Sequence, residues 1–184
     1  MPPKDGFIPA HGGYRKLRSY QKAQIVFDGT KRFCARFLDK RDRTVDQMVQ
    51  AARSGKQNIV EGSQASGTSK EMEIKLTNVA RASLAELEED YQDFLRTRQL
   101  LEWPPEHPYA RRLRALNRTP DACYATFRKG IESSDPEIAA NVILGLTRAT
   151  CYLLDRQLEA LERAFLKEGG LRERMTRARL RTRR

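Results

Sequence analysis

One stretch of the chain, residues 45–62, restricts the fold more than any other. Small or apolar residues recur there at steps of three and four, the spacing of one face of an α-helix: Val45, Met48, Ala52, Gly55, Ile59 and Gly62. Glycine inside a helix costs about 1 kcal/mol relative to alanine, so the two glycines on this face need a compensating contact. A closely approaching neighbouring helix supplies one, and the stretch therefore predicts the central helix of a tightly packed bundle.

The same periodicity runs through most of the chain and predicts an all-α protein. Besides the second helix at residues 44–64, long amphipathic helices are predicted at about 14–39, 70–102 and 136–167. No strand pattern of period two survives more than a few residues. Long helices joined mostly by short turns pack at crossings of roughly 20°. The expected architecture is an up-down-up-down four-helix bundle with a helical insertion between the third and fourth long helices.

Proline, glycine and charge divide the chain into segments. They are an irregular lead (1–13), the first three bundle helices (14–103), a helical insertion (104–135), the fourth bundle helix (136–167) and an arginine-rich tail (168–184). Within the insertion, short helices are predicted at 110–117 and from Pro120 to about Ile131. The tail is predicted to be a frayed helix from Leu171 onward.

Charge is distributed unevenly along the 184 residues, whose net charge is +11. Residues 1–67 contain 13 Lys and Arg against 6 Asp and Glu, and residues 168–184 contain 7 against 2. Residues 68–110 reverse the balance, with 5 against 9. A chain that is basic at both ends and acidic in one helix favours a polyanion, or a complementary copy of itself, as partner.

Residue types that carry catalysis or bind metals are sparse and scattered. Histidine occurs only at positions 11 and 107, both in predicted loops, and no glycine-rich phosphate loop follows a strand. No serine or cysteine is tied by spacing to a base. We therefore expect no enzymatic activity, no cofactor and no metal.

The cysteines and the apolar runs bear on the compartment. The chain has three cysteines, Cys34, Cys123 and Cys151. Because their number is odd and they lie far apart in apolar patterns, we expect reduced core residues of a cytoplasmic protein. The sequence contains no run of roughly 18 apolar residues, so no membrane span is expected. The segment Met1–Asp5 lacks the apolar core of a signal peptide.

Two groups of basic residues are the candidate contacts to nucleic acid. Rows of cations at helical spacing can follow phosphates, and an arginine-rich arm can become ordered on RNA. The alternative interpretation is a solvated face and a solubilising tail. The candidate residues are Arg15, Arg18, Lys22, Lys31, Arg32 and Arg36 in the first helix, and Arg172, Arg174, Arg177, Arg179, Arg181, Arg183 and Arg184 in the tail.

A polar stripe, Ser54, Asn58 and Glu61, lies beside the small residues of the second helix. It is interpreted either as a binding patch or as a hydrogen-bond network between helices that fixes their register. The sequence favours the network and leaves the position of the stripe, internal or external, open. With Gly55 and Gly62, these residues form the predicted helix-packing set.

Several runs together resemble a known bacterial family. They are Leu17–Ala23, Gln50–Ser54 followed by Asn58–Gly62, and Leu76–Glu88, which resemble the four helix bundle protein family. That family includes proteins encoded in intervening sequences of 23S ribosomal RNA genes and the accessory variability determinant of diversity-generating retroelements. Residues from about Trp103 onward are similar to the suffix domain of one branch, notably Pro136–Asn141 and Tyr152–Gln157.

The resemblance implies a bundle protomer in a ring-like homopentamer whose basic surface contacts nucleic acid. For retroelement members it implies a complex with a reverse transcriptase and its template RNA. The expected function is therefore that of a non-enzymatic, oligomeric nucleic-acid-binding protein, with structured RNA favoured over a DNA sequence because no helix-turn-helix is evident. The alternative is a protein–protein adaptor or scaffold ring with no nucleic-acid role.

Overall fold

The structure is a computed structural model that describes residues 7–182. Within this range its regular elements are all helical, which confirms the all-α class. Predictions made for Met1–Asp5, Arg183 and Arg184 fall outside the described residues. A 3-10 turn at Tyr14–Lys16 precedes the α-helices, which are α1 (Arg18–Phe37), α2 (Arg43–Ala65), α3 (Lys70–Thr97), α4 (Pro108–Arg118), α5 (Tyr124–Ile131), α6 (Pro136–Glu168) and α7 (Leu171–Thr182).

Side-chain caps define the starts of the long helices. Ser69 accepts a hydrogen bond from the backbone N–H of Met72 at 3.1 Å, and Asp135 accepts one from that of Glu137 at 2.8 Å, so both predicted starts are confirmed. At α2 the cap is Asp42, which accepts from the backbone N–H of Thr44 at 2.9 Å. Thr44 followed three residues later by Gln47 predicts a capping box beginning at Thr44, and this prediction is wrong by two residues.

Three helices are shorter than predicted. α1 spans Arg18–Phe37 rather than about 14–39, because Leu17 has an extended backbone conformation and separates the helix from the 3-10 turn. In the other two, a residue with positive φ explains the difference. α3 ends at Thr97 rather than near Glu102, because Gln99 has a φ of 56°. α5 begins at Tyr124 rather than at Pro120, because Asp121 has a φ of 56° and interrupts the chain between them.

Four long helices form the centre of the molecule, and each packs against two others. α2 lies between α1 and α3, and α6 packs against both α3 and α1. Contacts along α3 and α6 run in opposite directions, since Arg81 pairs with Asp155 and Glu88 with Arg148. These two helices are therefore antiparallel.

The start of α1 lies at the same end of the molecule as the second half of α6. Ser19 donates a hydrogen bond to Gln157 at 2.8 Å, whereas Gly29, ten residues further along α1, lies against Ile143. The backbone N–H of Gly12 donates to the carbonyl of Ser63 at 2.9 Å, which adds the end of α2 to this end. Residues far apart in sequence are thus brought together around the start of α1.

The buried face of α2 follows the predicted stripe. Met48, Ala52, Gly55, Ile59 and Gly62 are buried. On α3 the apolar spacing predicts an inner face of Met72, Leu76, Val79, Leu87, Tyr91 and Phe94, and this is only partly correct. Leu87, Tyr91 and Phe94 are buried, but Met72 and Val79 are each 45% exposed. In the half of α3 nearest its start, Glu73, Thr77 and Ala80 are the buried residues instead.

α6 is the most apolar helix of the chain. An 18-residue window within residues 136–182 reaches a mean hydropathy of 1.2, a value that also occurs in membrane-spanning helices. In this fold 61% of that window is buried inside the molecule. The apolar surface is covered by the helices around it, as in the core helix of a helical domain.

Candidate nucleic-acid interface

Helices α4 and α5 cover one side of the four long helices and bring new residues to the start of α1. Both α4 and α5 pack against α6, and α5 also touches α1. Asn141 of α6 fixes the segment leading into α4: its Oδ1 accepts from the backbone N–H of Trp103 at 2.8 Å, and its Nδ2 donates to the carbonyl of Leu101 at 2.8 Å. The insertion is therefore anchored at its beginning by a buried side chain.

Arg15, Arg18 and Lys22 are predicted to form a solvated basic row, and the structure separates them. Arg15 and Arg18 are exposed. Lys22 is only 5% exposed, so its placement on a solvated face is wrong. Its Nζ donates to Asn117 Oδ1 of α4 at 2.8 Å and lies 5.3 Å from the centre of the Phe127 ring of α5. The insertion, ninety-five residues away, buries this lysine.

The electrostatics of Lys22 reflect this burial. Desolvation, together with the nearby positive charge of Arg18, lowers the pKa of Lys22 to about 8. No carboxylate within the described residues forms an ion pair with it. A cation that is covered by protein and lacks an acidic partner is placed where an anion would be stabilised.

A groove of about 1090 Å³ lies between α4 and α6, and we call it the α4–α6 groove. Arg18 and Lys22 close it at the start of α1, and Trp103 lies at the other end of its lining. Its apolar lining comes from α4, from α6 and from Trp103, Pro104 and Pro105 before α4, and its remaining basic residues come from the two helices. These lining residues include Leu113, Arg114, Asn117 and Arg118 of α4 and Leu144, Arg148, Tyr152 and Leu153 of α6.

Not all of the cations in the groove are available to a ligand. Arg148 is bound by Glu88 at 2.7 Å and by Glu102 at 2.7 Å, and its pKa is raised chiefly by these two carboxylates against the desolvation that lowers it. By contrast, Arg18, Arg114 and Arg118 form no ion pair with any residue from 7 to 182. Sequence reasoning missed Arg114 and Arg118, because nothing local to α4 indicates that it faces α1.

The other basic residues of α1 lie toward its far end. Lys31, Arg32 and Arg36 are exposed. Arg32 is paired with Glu132 at 3.5 Å, and Arg36 lies 4.9 Å from the centre of the Phe37 ring. At a rise of about 1.5 Å per residue, Arg36 is roughly 27 Å along the helix from Arg18. Arg15 lies in the 3-10 turn before α1, and the six candidates predicted in the first helix therefore do not form one surface.

The tail is a helix docked on the turn between α2 and α3. Arg174 is half-buried and donates to the carbonyl of Gly67 at 3.4 Å, and Arg177 donates to the carbonyl of Glu168. Arg172, Arg179 and Arg181 are exposed. No arginine of the described part of α7 forms an ion pair within residues 7–182. The arm expected to become ordered on RNA is already helical.

The polar stripe of α2 divides into an internal and an external part. Ser54 and Ser83 of α3 hydrogen-bond at 3.0 Å, and Asn58 donates to the carbonyl of Ser54 at 2.9 Å and to its hydroxyl at 3.1 Å. This is a hydrogen-bond network between helices. Glu61 is exposed and makes no hydrogen bond within the described residues, so its assignment to the packing set is wrong.

The two glycines of the packing set lie at close helix approaches. A Cβ atom on Gly55 would lie 2.6 Å from Leu84 Cγ, and one on Gly62 would lie 3.4 Å from the carbonyl oxygen of Glu73. The missing side chains therefore let α3 approach α2, as the sequence predicts.

The three cysteines differ in their surroundings. Cys34 is buried and Cys151 half-buried, and burial raises the pKa of these thiols to about 12 and about 11. Cys123 is exposed at the start of α5, so the prediction of a core position is wrong for it. Backbone N–H groups of Ala125 and Thr126 lower its pKa. Within residues 7–182, no three His, Cys, Asp or Glu residues are grouped so that they could hold a metal ion.

Comparisons of the chain with protein-family models, with curated proteins and with solved structures give no match.

Proposed function

We propose that this protein is a non-enzymatic, oligomeric nucleic-acid-binding protein that favours structured RNA. The observation that carries the proposal is the group of cations without carboxylate partners at the start of α1, on α4 and on α7. The cations of such a surface would release the counterions condensed on nucleic-acid phosphates, and this release supplies most of the affinity in sequence-independent binding.

The runs resembling the four helix bundle protein family support a place in that family, with an up-down-up-down bundle protomer and a ring-like homopentamer. A reverse transcriptase with its template RNA is the partner that the retroelement members suggest. A bacterial, cytoplasmic setting belongs to the same proposal.

The test measures binding of structured RNA and duplex DNA against salt concentration. Replacing Arg172, Arg177, Arg179 and Arg181 by glutamine keeps good helix formers in α7 and removes four charges. If all four arginines contact phosphates, we expect the slope of log affinity against log salt to fall by about 3, since each phosphate contact contributes about 0.7 to 0.9. The matched control replaces four exposed arginines at the opposite end, Arg41, Arg43, Arg96 and Arg98, by glutamine. Absence of binding by the wild type at low salt would disprove the proposal.

A protein–protein adaptor is the second candidate, and the exposed apolar pair on α3 favours it. Met72 and Val79 are seven residues apart, hence on one face, in a helix that is acidic overall. If this face joins copies of the chain, Val79→Lys lowers the mass measured by light scattering without reducing helicity. An unchanged mass would show that this face of α3 does not form the interface between copies.

A further inference from the structure

The α4–α6 groove combines two kinds of surface that a simple phosphate-binding patch lacks. At its α1 end, the side chains of Arg18, Lys22 and Arg118 come together. Along its walls lie Leu113 of α4 and Leu153 of α6. A ligand that fits both parts has an anionic group attached to an apolar or aromatic one.

The cations at this end also line a second cavity. A neighbouring space of about 270 Å³ shares Arg18, Lys22 and Arg118 with the groove and continues toward Lys16 and Thr119. A chain of phosphates that leaves the groove would therefore pass directly between these three cations. This favours a polymer over a small molecule that ends at the groove.

An exposed aromatic side chain also lines the groove. Tyr152 is 64% exposed although it belongs to the apolar helix α6, and it forms no aromatic pair within the described residues. Trp103, the other aromatic residue of the lining, is stacked on His107 with ring centres 4.9 Å apart. Tyr152 is thus the free platform, and aromatic platforms of this kind stack unpaired bases.

We propose that the α4–α6 groove binds one unpaired nucleotide of a single-stranded nucleic acid. Its phosphate lies among Arg18, Lys22 and Arg118, and its base lies against Tyr152 and the leucines of the walls. The groove volume of about 1090 Å³ is sufficient, because pockets for compact organic ligands measure roughly 300 to 1000 Å³. This inference rests on the proposed nucleic-acid function and adds a preference for unpaired bases.

The experiment compares a labelled single-stranded oligonucleotide with a blunt duplex of the same length, both titrated with the full-length protein. Ala149→Phe fills the groove without changing its charge, and Ala160→Phe makes the same change at an exposed position of α6 outside it. We expect Ala149→Phe to weaken single-strand binding roughly 5- to 100-fold, the range of one stacked base. Ala160→Phe should leave it unchanged, and neither variant should alter duplex binding.

A second pair of variants truncates exposed side chains, and circular dichroism checks that both variants keep the wild-type helicity. Tyr152→Ala removes the platform from an exposed position, and Tyr109→Ala removes a tyrosine that is 54% exposed and does not line the groove. Only Tyr152→Ala should weaken single-strand binding. The inference would be overturned if the two variants of each pair weakened single-strand binding equally, or if the wild type preferred the duplex. In either case, duplex binding that is retained would leave the proposed function standing. Binding of neither nucleic acid would overturn both.

A competition experiment distinguishes a nucleotide from an acyl phosphate as the ligand of the groove. Nucleoside monophosphates at millimolar concentration should displace part of the bound strand from the wild type and none from Ala149→Phe. Displacement by dodecyl phosphate without displacement by the monophosphates would assign the groove to an acyl phosphate and overturn the inference.

Discussion

The contact between α2 and α3 and the α4–α6 groove are both places where helices meet, and they differ in how their residues are distributed in sequence. At the first, Gly55 contacts Leu84, twenty-nine residues later. At the second, Lys22 contacts Asn117, ninety-five residues later. The first is apolar, closely packed and visible as a periodic stripe, whereas the second is built from cations on separate helices. Local patterns thus reveal packing more readily than they reveal a charged site.

The largest expected effect comes from truncating Leu84, the large side chain of α3 that lies against Gly55 of α2. Leu84 is fully buried. Leu84→Ala should lower the free energy of unfolding by about 3 kcal/mol, through lost burial and the cavity left behind. Urea denaturation followed by circular dichroism measures the change. A loss below about 1 kcal/mol would mean that α3 does not depend on this leucine.

The glycine opposite gives a sharper test of the same contact. Gly55→Ala should cost about 2 kcal/mol, because the new Cβ would overlap Leu84 by more than helix propensity recovers. In the Leu84→Ala background the overlap is gone, and the same substitution should stabilise by up to about 1 kcal/mol. The sign reversal in a double-mutant cycle is the critical result. Additive effects would contradict the close approach.

The corresponding test on the other side concerns Lys22. Its pKa falls from 10.5 in the unfolded chain to about 8 in the folded protein. Between these values the unfolded chain binds a proton that the folded one has released, so stability rises with pH. Relative to Lys22→Met, wild-type stability should rise by about 1 kcal/mol between pH 8 and 10.5, after allowance for screening by nearby water.

The control for this pH dependence is Lys16→Met, which removes an exposed lysine near the start of α1. Its stability should rise with pH as that of the wild type does. If the free energies of unfolding of the wild type and Lys22→Met changed in parallel between pH 8 and 10.5, Lys22 would not be a buried cation.

The smallest expected effects come from the polar stripe of α2. Ser54→Ala removes the bond to Ser83 and should cost about 1 kcal/mol. Glu61→Gln, seven residues along on the exposed side, should change stability by less than about 0.5 kcal/mol. Equal losses of stability in the two variants would show that Glu61 belongs to the helix-packing set.

Much of the helical framework was predictable because its signals are local. The caps Ser69 and Asp135 and the buried face of α2 lie within a few residues of what they determine. Errors arose where a single backbone angle ended a helix, as at Gln99 and Asp121, since both residue types also occur inside helices. They arose again on α3, where Met72 and Val79 have apolar side chains but face outward.

The candidate site was predictable only in part. The arginines of α7 form a run that composition reveals directly, and Arg18 belongs to a row at helical spacing. The burial of Lys22 and the approach of Arg114 and Arg118 depend on where α4 lies on α6. No periodicity within α4 encodes that position, because it follows from contacts such as Asn141 with Trp103 and Leu113 with Gly145.

The sequence by itself determined an all-helical chain, the close-packed face of α2 and a strong excess of basic residues. These properties depend on side-chain size, periodicity and charge, which are written locally along the chain. Tertiary structure alone decided which cations meet. It buried Lys22 beneath an insertion and drew Arg18 and Arg118 to one groove, leaving Arg36 at the far end of α1. The physical reason is that electrostatic and binding surfaces depend on distances in space, and long-range helix packing fixes those distances.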